Sequence, residues 1–388
     1  MGVDSTGTGM EKGLVCVFAA GLLLIAACGK SVPAVQITSS PLPAAAAKEG
    51  NFDVVEADQA AHRLYLADRD RGVDVFDISG APAKFIKTIA MPAIPNGLAL
   101  APDLARLFVG TASGKVVVVD TKTQSATVDT IIGEWQTGGK SADLLDYAAA
   151  PRPVLFASNG VDGTIARIDA ITGEVKVHIK VGYALEQPRF NSSDGMLYVT
   201  SPDAGALFRI DPNTGKTKDK IMLAGCLPTG LAINPRSNQA LIACTNSVMS
   251  RDLRTGRSET FDQVAGGDVV SYSVKTDRFL VASPQKTKES AIAIFGGNPI
   301  AYMTSVVTDA HGKSAAYDET NDVVYTPDIR PNKAGLSGFR IPAGGPGLPS
   351  LLPSLAVFVA LLVAIGVFFF FVGRSADPIR RPEPLPKS

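Results

Sequence analysis

The chain has 388 residues, 37 Lys+Arg against 37 Asp+Glu, a formal net charge of zero, and is 46% hydrophobic but only 7% aromatic. A balanced charge removes the strongest argument for nucleic acid, which needs a basic excess to neutralise phosphates, and this apolar content excludes a mainly disordered chain. Three His and four Cys leave little material for a His/Cys metal cluster.

The N-terminal segment carries an uncharged run from Gly13 to Ala27, 15 residues long, which is short for a membrane span. It closes on Ile25-Ala26-Ala27-Cys28, which resembles the lipobox of bacterial lipoprotein signal peptides. By that resemblance residues 1–28 are a signal segment and Cys28 becomes the lipidated first residue. Residues 29–50, with Pro33, Pro41, Pro43 and the run Ala44 to Ala47, read as a linker.

Residues 51–342 repeat one pattern about seven times. An apolar strand with a closing turn is followed by a pair such as Leu64-Tyr65, Leu107-Phe108, Leu155-Phe156 or Leu197-Tyr198. A polar turn and a β-branched run ending in Asp come next, as in Val116 to Asp120 and Ile165 to Asp169. The turn D-x-x-T-[GQ] then recurs at Asp120, Asp169, Asp211 and Asp252, and its Asp has a structural use: the carboxylate accepts backbone N–H groups. Short period-2 runs separated by Gly, Asn, Asp and Pro are strands. Four of them in about 40–45 residues make a propeller blade. The expected fold is all-β: a seven-bladed β-propeller of four-stranded blades. The last copy stops after three strands near Ile341, and Val35 to Thr38 is expected to supply the missing outer one.

Beyond the repeats, residues 343–353 form a Gly/Pro linker, and Ser354 to Val372 is 19 residues without charge or Pro. At 1.5 Å per residue such a helix spans roughly 28 Å, about a bilayer core. A transmembrane helix is expected over 354–373. Arg374, Arg380, Arg381 and Lys387 make 374–388 a cytoplasmic tail. The body is thereby expected outside the plasma membrane, anchored to it.

Three passages resemble a known family. Asn96-Gly97-Leu98-Ala99-Leu100-Ala101-Pro102-Asp103 is similar to its strand-one pattern, Gly225-Cys226-Leu227-Pro228-Thr229-Gly230-Leu231-Ala232-Ile233 to a subgroup variant, and Val175 to Gly182 to its closing strand. Together they resemble the YVTN-repeat, YncE-like propellers of bacteria over about residues 50–330. The resemblance implies a seven-bladed propeller in an extracytoplasmic setting and little about chemistry.

Counting five residues back from each strand-one turn selects Asp53, Asn96, Asp143, Arg189, Thr229, Asp268 and Lys313, spaced 39 to 47 residues apart, one per blade. Strand one is innermost in a propeller, so these side chains are expected to ring one mouth of the central channel and to bind a ligand. The loops between strands two and three open on the same face, with Asp68 to Arg71, Asn159, Asp162, Asp203, Asn246, Lys286, Asp328 and Arg330. Of the His residues only His311, two before Lys313, reaches that mouth. The chain has no G-x-S-x-G, H-E-x-x-H, C-x-x-C or phosphate-loop spacing. A single Trp135 argues against quinone-binding propellers. The reading is a binding module, monomeric and without a cofactor, whose partner is a protein or small molecule. The alternative is a lactonase-type hydrolase holding Ca2+ or another divalent cation on Asp53, Asp143 and Asp268.

Cys226 and Cys244 are the only Cys pair in the exported body, since Cys16 lies in the signal segment. Pairing Ile233 with Ala240 sets Thr229 opposite Cys244 and Cys226 three residues beyond, on the channel-mouth face. A disulfide between them is expected, favoured by an oxidising compartment.

Overall fold

Each blade follows from the same local rule. Its two middle strands are apolar on both faces because sheets pack against them on either side, and its outer strand alternates apolar with charged residues because one side meets water. The computed structural model describes residues 35–43, 48–285 and 290–341. It divides the chain into Met1–Val35 and Gln36–Ser388, and all strands below belong to the second unit. The signal segment and Cys28, the alanine run, Lys286, the 343–353 linker, the 354–373 span and the tail lie outside the described residues. Among the described residues no helix is long and apolar enough to cross a membrane.

The chain opens with β1 (Ile37–Pro41). Blade one follows as β2 (Phe52–Asp58), β3 (Arg63–Asp68), β4 (Gly72–Asp77) and β5 (Lys84–Ile89), and blade two as β6 (Pro95–Ala101), β7 (Arg106–Thr111), β8 (Lys115–Asp120) and β9 (Ile131–Gln136). Blade three is β10 (Leu145–Ala148), β11 (Val154–Asn159), β12 (Thr164–Asp169) and β13 (Val175–Lys180). Blade four is β14 (Pro188–Asn191), β15 (Met196–Ser201), β16 (Ala206–Ile210) and β17 (Thr217–Met222). Blade five is β18 (Pro228–Asn234), β19 (Gln239–Cys244), β20 (Val248–Asp252) and β21 (Ser258–Phe261). Blade six is β22 (Val270–Ser273), β23 (Arg278–Ser283), β24 (Ala291–Gly297) and β25 (Ile300–Val307). Blade seven has β26 (Ala316–Asp318), β27 (Val323–Asp328) and β28 (Gly335–Phe339) from the chain's end.

The seven sheets are all four-stranded, and the seventh has the order β1-β28-β27-β26. β1 runs antiparallel to β28 from Ile37↔Phe339 to Pro41↔Gly335. The fourth strand of blade seven therefore comes from residues 37–41, slightly later than Val35 to Thr38. This corrects the 29–50 linker: part of it is propeller. Leu42 is buried, its N–H donates to Ala334 O at 2.9 Å, and it joins Leu64, Phe76, Tyr325 and Leu336 in the cluster that seals blade seven to blade one. Closing the ring this way removes two sheet edges.

First strands of neighbouring blades touch, β2 with β6, β6 with β10, β10 with β14, β14 with β18, β18 with β22 and β2 with β26, so strand one is innermost. Two glycines allow this approach. A Cβ on Gly97 would meet Asp143 O at 2.3 Å, and one on Gly230 would meet Asp268 O at 2.2 Å. The recurring G-L-A step on strand one is thus a contact for the backbone of the next blade. The D-x-x-T-[GQ] Asp residues behave as expected: Asp169 Oδ1 accepts from the N–H groups of Ile171 and Thr172, and Asp252 Oδ1 from those of Arg254 and Thr255.

Candidate functional site

Strand one enters each blade from one face, and the residue two before its first regular rung points at the channel mouth. In register with Asp53 (Val55↔Leu66) stand Asn96 (Leu98↔Val109), Asp143 (Leu145↔Ala157), Thr229 (Leu231↔Ile242), Asp268 (Val270↔Val281) and Lys313 (two before Ala315). Six of the seven expected positions are therefore equivalent. Arg189 is not. It pairs with Tyr198, one step past the Pro188↔Val199 rung, which is the register of Glu56 and Asp146 in their blades. The residue at the mouth in blade four is Glu186.

The miscount has a physical cause. The turn after strand one is fixed by an acceptor side chain on its first residue. Asp58 accepts from Ala60 and Ala61 N–H, Asn234 from Arg236 N–H, and Asp318 from Thr320 and Asn321 N–H. In blade four that residue is Asn191, whose Oδ1 accepts from Ser193 N–H at 3.2 Å, and not Asp194, which closes the turn. Five residues before Asn191 is Glu186. The Asx-turn chemistry of Asn191 was the signal that identifies it.

The corrected mouth holds four carboxylates, Asp53, Asp143, Glu186 and Asp268, with Lys313 exposed beside them. Arg69, from the β3–β4 loop, adds a second cation: its Nη1 donates to Asp53 Oδ2 at 2.9 Å and also to Asn96 Oδ1. Two expected ring members are used between blades. Asn96 Nδ2 donates to Ala142 O at 3.0 Å and Thr229 Oγ1 to Gly267 O at 2.8 Å. The carboxylates of Asp143, Glu186 and Asp268 accept no hydrogen bond from any described residue. Burial pushes the Asp143 carboxyl up to about 6, with Asp53 and Asp268 adding repulsion against the pull of Arg69 and Lys313. Burial also raises Asp268 to about 6, and Glu186 to about 7 with repulsion from Asp143, Asp268 and Asp53. These acids from blades one, three, four and six feel one another, so they share one mouth.

Arg189 belongs to a deeper layer of the same channel. Its Nη1 donates to Leu145 O at 3.1 Å and Pro188 O at 2.9 Å and lies 3.5 Å from Asp146 Oδ1. Asp146 Oδ2 accepts from Phe190 N–H at 2.6 Å. Burial raises Asp146 to about 6 and Glu56 to about 7, with Arg189 opposing both.

The rim loops mostly satisfy themselves. Arg71 bridges Asp68 and Asp74 at 2.9 and 2.8 Å, Asp70 takes Lys48 at 2.8 Å, and Arg330 grips Asp328 through both Nε and Nη2. Asn159 binds Thr137 and Thr164, and Asp162 accepts Lys140 N–H. His311, with Lys313, Asn51, Phe52, Pro284 and Gln285, lines a cleft of about 350 Å³, and its Nδ1 lies 2.9 Å from Gln285 O. Among the described residues no group of three or more His, Cys, Asp or Glu side chains is placed to hold a metal ion. Asp53, Asp143 and Asp268 share that mouth.

Cys226 and Cys244 form a disulfide with Cα atoms 5.0 Å apart, within the range a disulfide accepts. Ile233 pairs with Ala240 as expected, but a bulge between Pro228 and Leu231 brings Pro228 opposite Cys244. That extra residue draws Cys226 one position nearer than an unbroken ladder would.

No protein-family model matches the chain, and no curated protein sequence matches it. Solved structures do share its fold. A chain of the Mitotic Checkpoint Complex superposes with a TM-score of 0.63 at 13% identity, covering 81% of this chain and 96% of that one. A chain of Kuenenia stuttgartiensis hydrazine synthase superposes with a TM-score of 0.63 at 14% identity, covering 74% and 94%. At such identity the likeness is one of fold: a seven-bladed propeller of four-stranded blades.

Proposed function

We propose that this chain is a membrane-tethered, extracytoplasmic propeller that binds a protein or small-molecule ligand at its channel mouth without catalysing a reaction, as a YVTN-type, YncE-like protein. One observation carries the reading. Three half-buried carboxylates, Asp143, Glu186 and Asp268, face the mouth with no hydrogen-bond donor among the described residues, and burial together with mutual repulsion raises their pKa values. A ligand presenting an ammonium or guanidinium group supplies the missing partner and ionises them. A propeller of this fold within the Mitotic Checkpoint Complex supports a scaffold role by analogy only. The tether rests on Cys28 and on the 354–373 span.

The test is co-purification of the full chain with its neighbours from native membranes. The Asp143→Asn/Glu186→Gln/Asp268→Asn variant is expected to lose at least tenfold of the partner recovered with the wild type. Equal recovery would sink the reading. A rise of Tm in calcium that vanishes in Asp143→Asn/Asp268→Asn would favour the cation-assisted hydrolase instead. For the tether, Cys28→Ser is expected to accumulate as an unprocessed precursor, and wild-type migration of that variant would refute lipidation.

A further inference from the structure

Blades three and four place an arginine at the same point of their third strands, and the two arginines meet opposite fates. Arg209 on β16 lies opposite Tyr198 and Asp219. Its Nη1 reaches Asp219 Oδ2 at 3.2 Å, and its Nε donates to Tyr198 Oη at 3.1 Å and lies 3.5 Å from Asp194 Oδ2. Arg167 on β12 is its counterpart, opposite Phe156 and Val177. Blade three has replaced every partner: Phe156 for Tyr198, Val177 for Asp219, and Arg152, four residues before Phe156, for Asp194. Arg167 is half-buried and makes no hydrogen bond or ion pair with any described residue. A second guanidinium stands where its counter-charge would be.

Both arginines line a cleft of about 450 Å³ that contains no carboxylate. It opens between blades three and four on the face opposite the channel mouth, beside the β10–β11 and β16–β17 turns. Phe156 and Phe190 are stacked at 5.9 Å along it, and Pro151 and Pro212 complete an apolar wall. A half-buried guanidinium without a partner is unfavourable unless something anionic arrives. Planar guanidinium groups grip carboxylates bidentately and lie flat on aromatic rings. The volume is that of a small-molecule site.

We infer that this cleft is a second binding site, independent of the channel mouth, for a small organic anion with a flat apolar body, an aromatic carboxylate. The carboxylate spans Arg152 and Arg167, and the ring lies along the Phe156–Phe190 stack.

Benzoate is the probe, titrated calorimetrically into the full chain, with benzamide as its uncharged match. A ligand of this size is expected to bind with a Kd on the order of 1 mM, and benzamide at least tenfold more weakly. Arg167→Gln should weaken benzoate tenfold or more. Arg152→Asp rebuilds the blade-four arrangement: it should abolish benzoate binding while Tm holds or rises, and it keeps the test alive if Arg167→Gln folds poorly. Absence of benzoate binding, equal binding of benzamide, or benzoate binding insensitive to Arg152→Asp, which would assign it to Arg69 and Lys313, each overturns the proposal.

Discussion

The channel carries two charged layers a few residues apart, and they are built on different terms. In the deeper layer Arg189 is held by two backbone carbonyls and Asp146, and Asp146 is held in turn by Phe190 N–H. In the mouth, three acids stand without donors, and the two cations sit to one side, one of them occupied with Asp53 and Asn96. The same strands thus build a hydrogen-bonded Arg189–Asp146 pair below, with Glu56 beside it feeling only their charges, and an open group of acids above. A buried charge cluster with its hydrogen bonds made is structure, whereas one with them unmade awaits a partner.

The largest effect should come from the deeper layer. Arg189→Met strands Glu56 and Asp146, and denaturant unfolding at pH 8 is expected to show a loss of about 3 kcal/mol. That loss should shrink towards pH 5, where both acids hold protons. A uniform loss across pH would mean that packing of the Arg189 stem, and not its charge, is what matters.

The mouth should give a smaller effect with a defined sign. Asp143 and Asp268 rise to about 6 and Glu186 to about 7, so the folded chain binds protons more tightly than the unfolded one. Stability is therefore full below the unfolded carboxylate range near pH 4 and is lost as pH rises through 6 to 7. Channel water screens these groups, so a fall of roughly 1–3 kcal/mol between pH 5 and 8 is expected. The Asp143→Asn/Glu186→Gln/Asp268→Asn variant should flatten the Tm–pH profile. A profile unchanged by those substitutions would locate the titration in the deeper layer.

Arg69→Gln should do least. Its pair with Asp53 is partly exposed, so a stability change under about 1 kcal/mol is expected. The same substitution should raise the apparent pKa of Asp143, followed by NMR titration of the side chain. No movement there would detach Arg69 from the mouth.

The fold was legible because a blade repeats, and each repeat restates its turns and β-branched runs. Blade closure by the N-terminal strand and the Cys226–Cys244 bond were legible too, since an incomplete seventh copy and a lone Cys pair each demand a partner. The site was legible only to the accuracy of the turn count. Asp53, Asn96, Asp143, Thr229, Asp268 and Lys313 fell in register, while Ser192 and Ser193 disguised the end of β14 and put Arg189 where Glu186 belongs. Whether an aligned polar residue is open or consumed could not be read from sequence. Asn96 and Thr229 are spent on the neighbouring blade through contacts some 40 residues away, and the self-pairing of Arg71 and Arg330 depends on loop shape.

β1 and β28 lie antiparallel with Ile37 opposite Phe339, so the chain enters and leaves the ring at one rung, on the face away from the channel mouth. Mechanically this is a single suspension point. A load shared by both flanks passes through that rung without prising β1 from β28. A load that parts the two flanks meets the ladder end-on and peels it one bond at a time, from Ile37 towards Pro41, so the ring would open first at its seam.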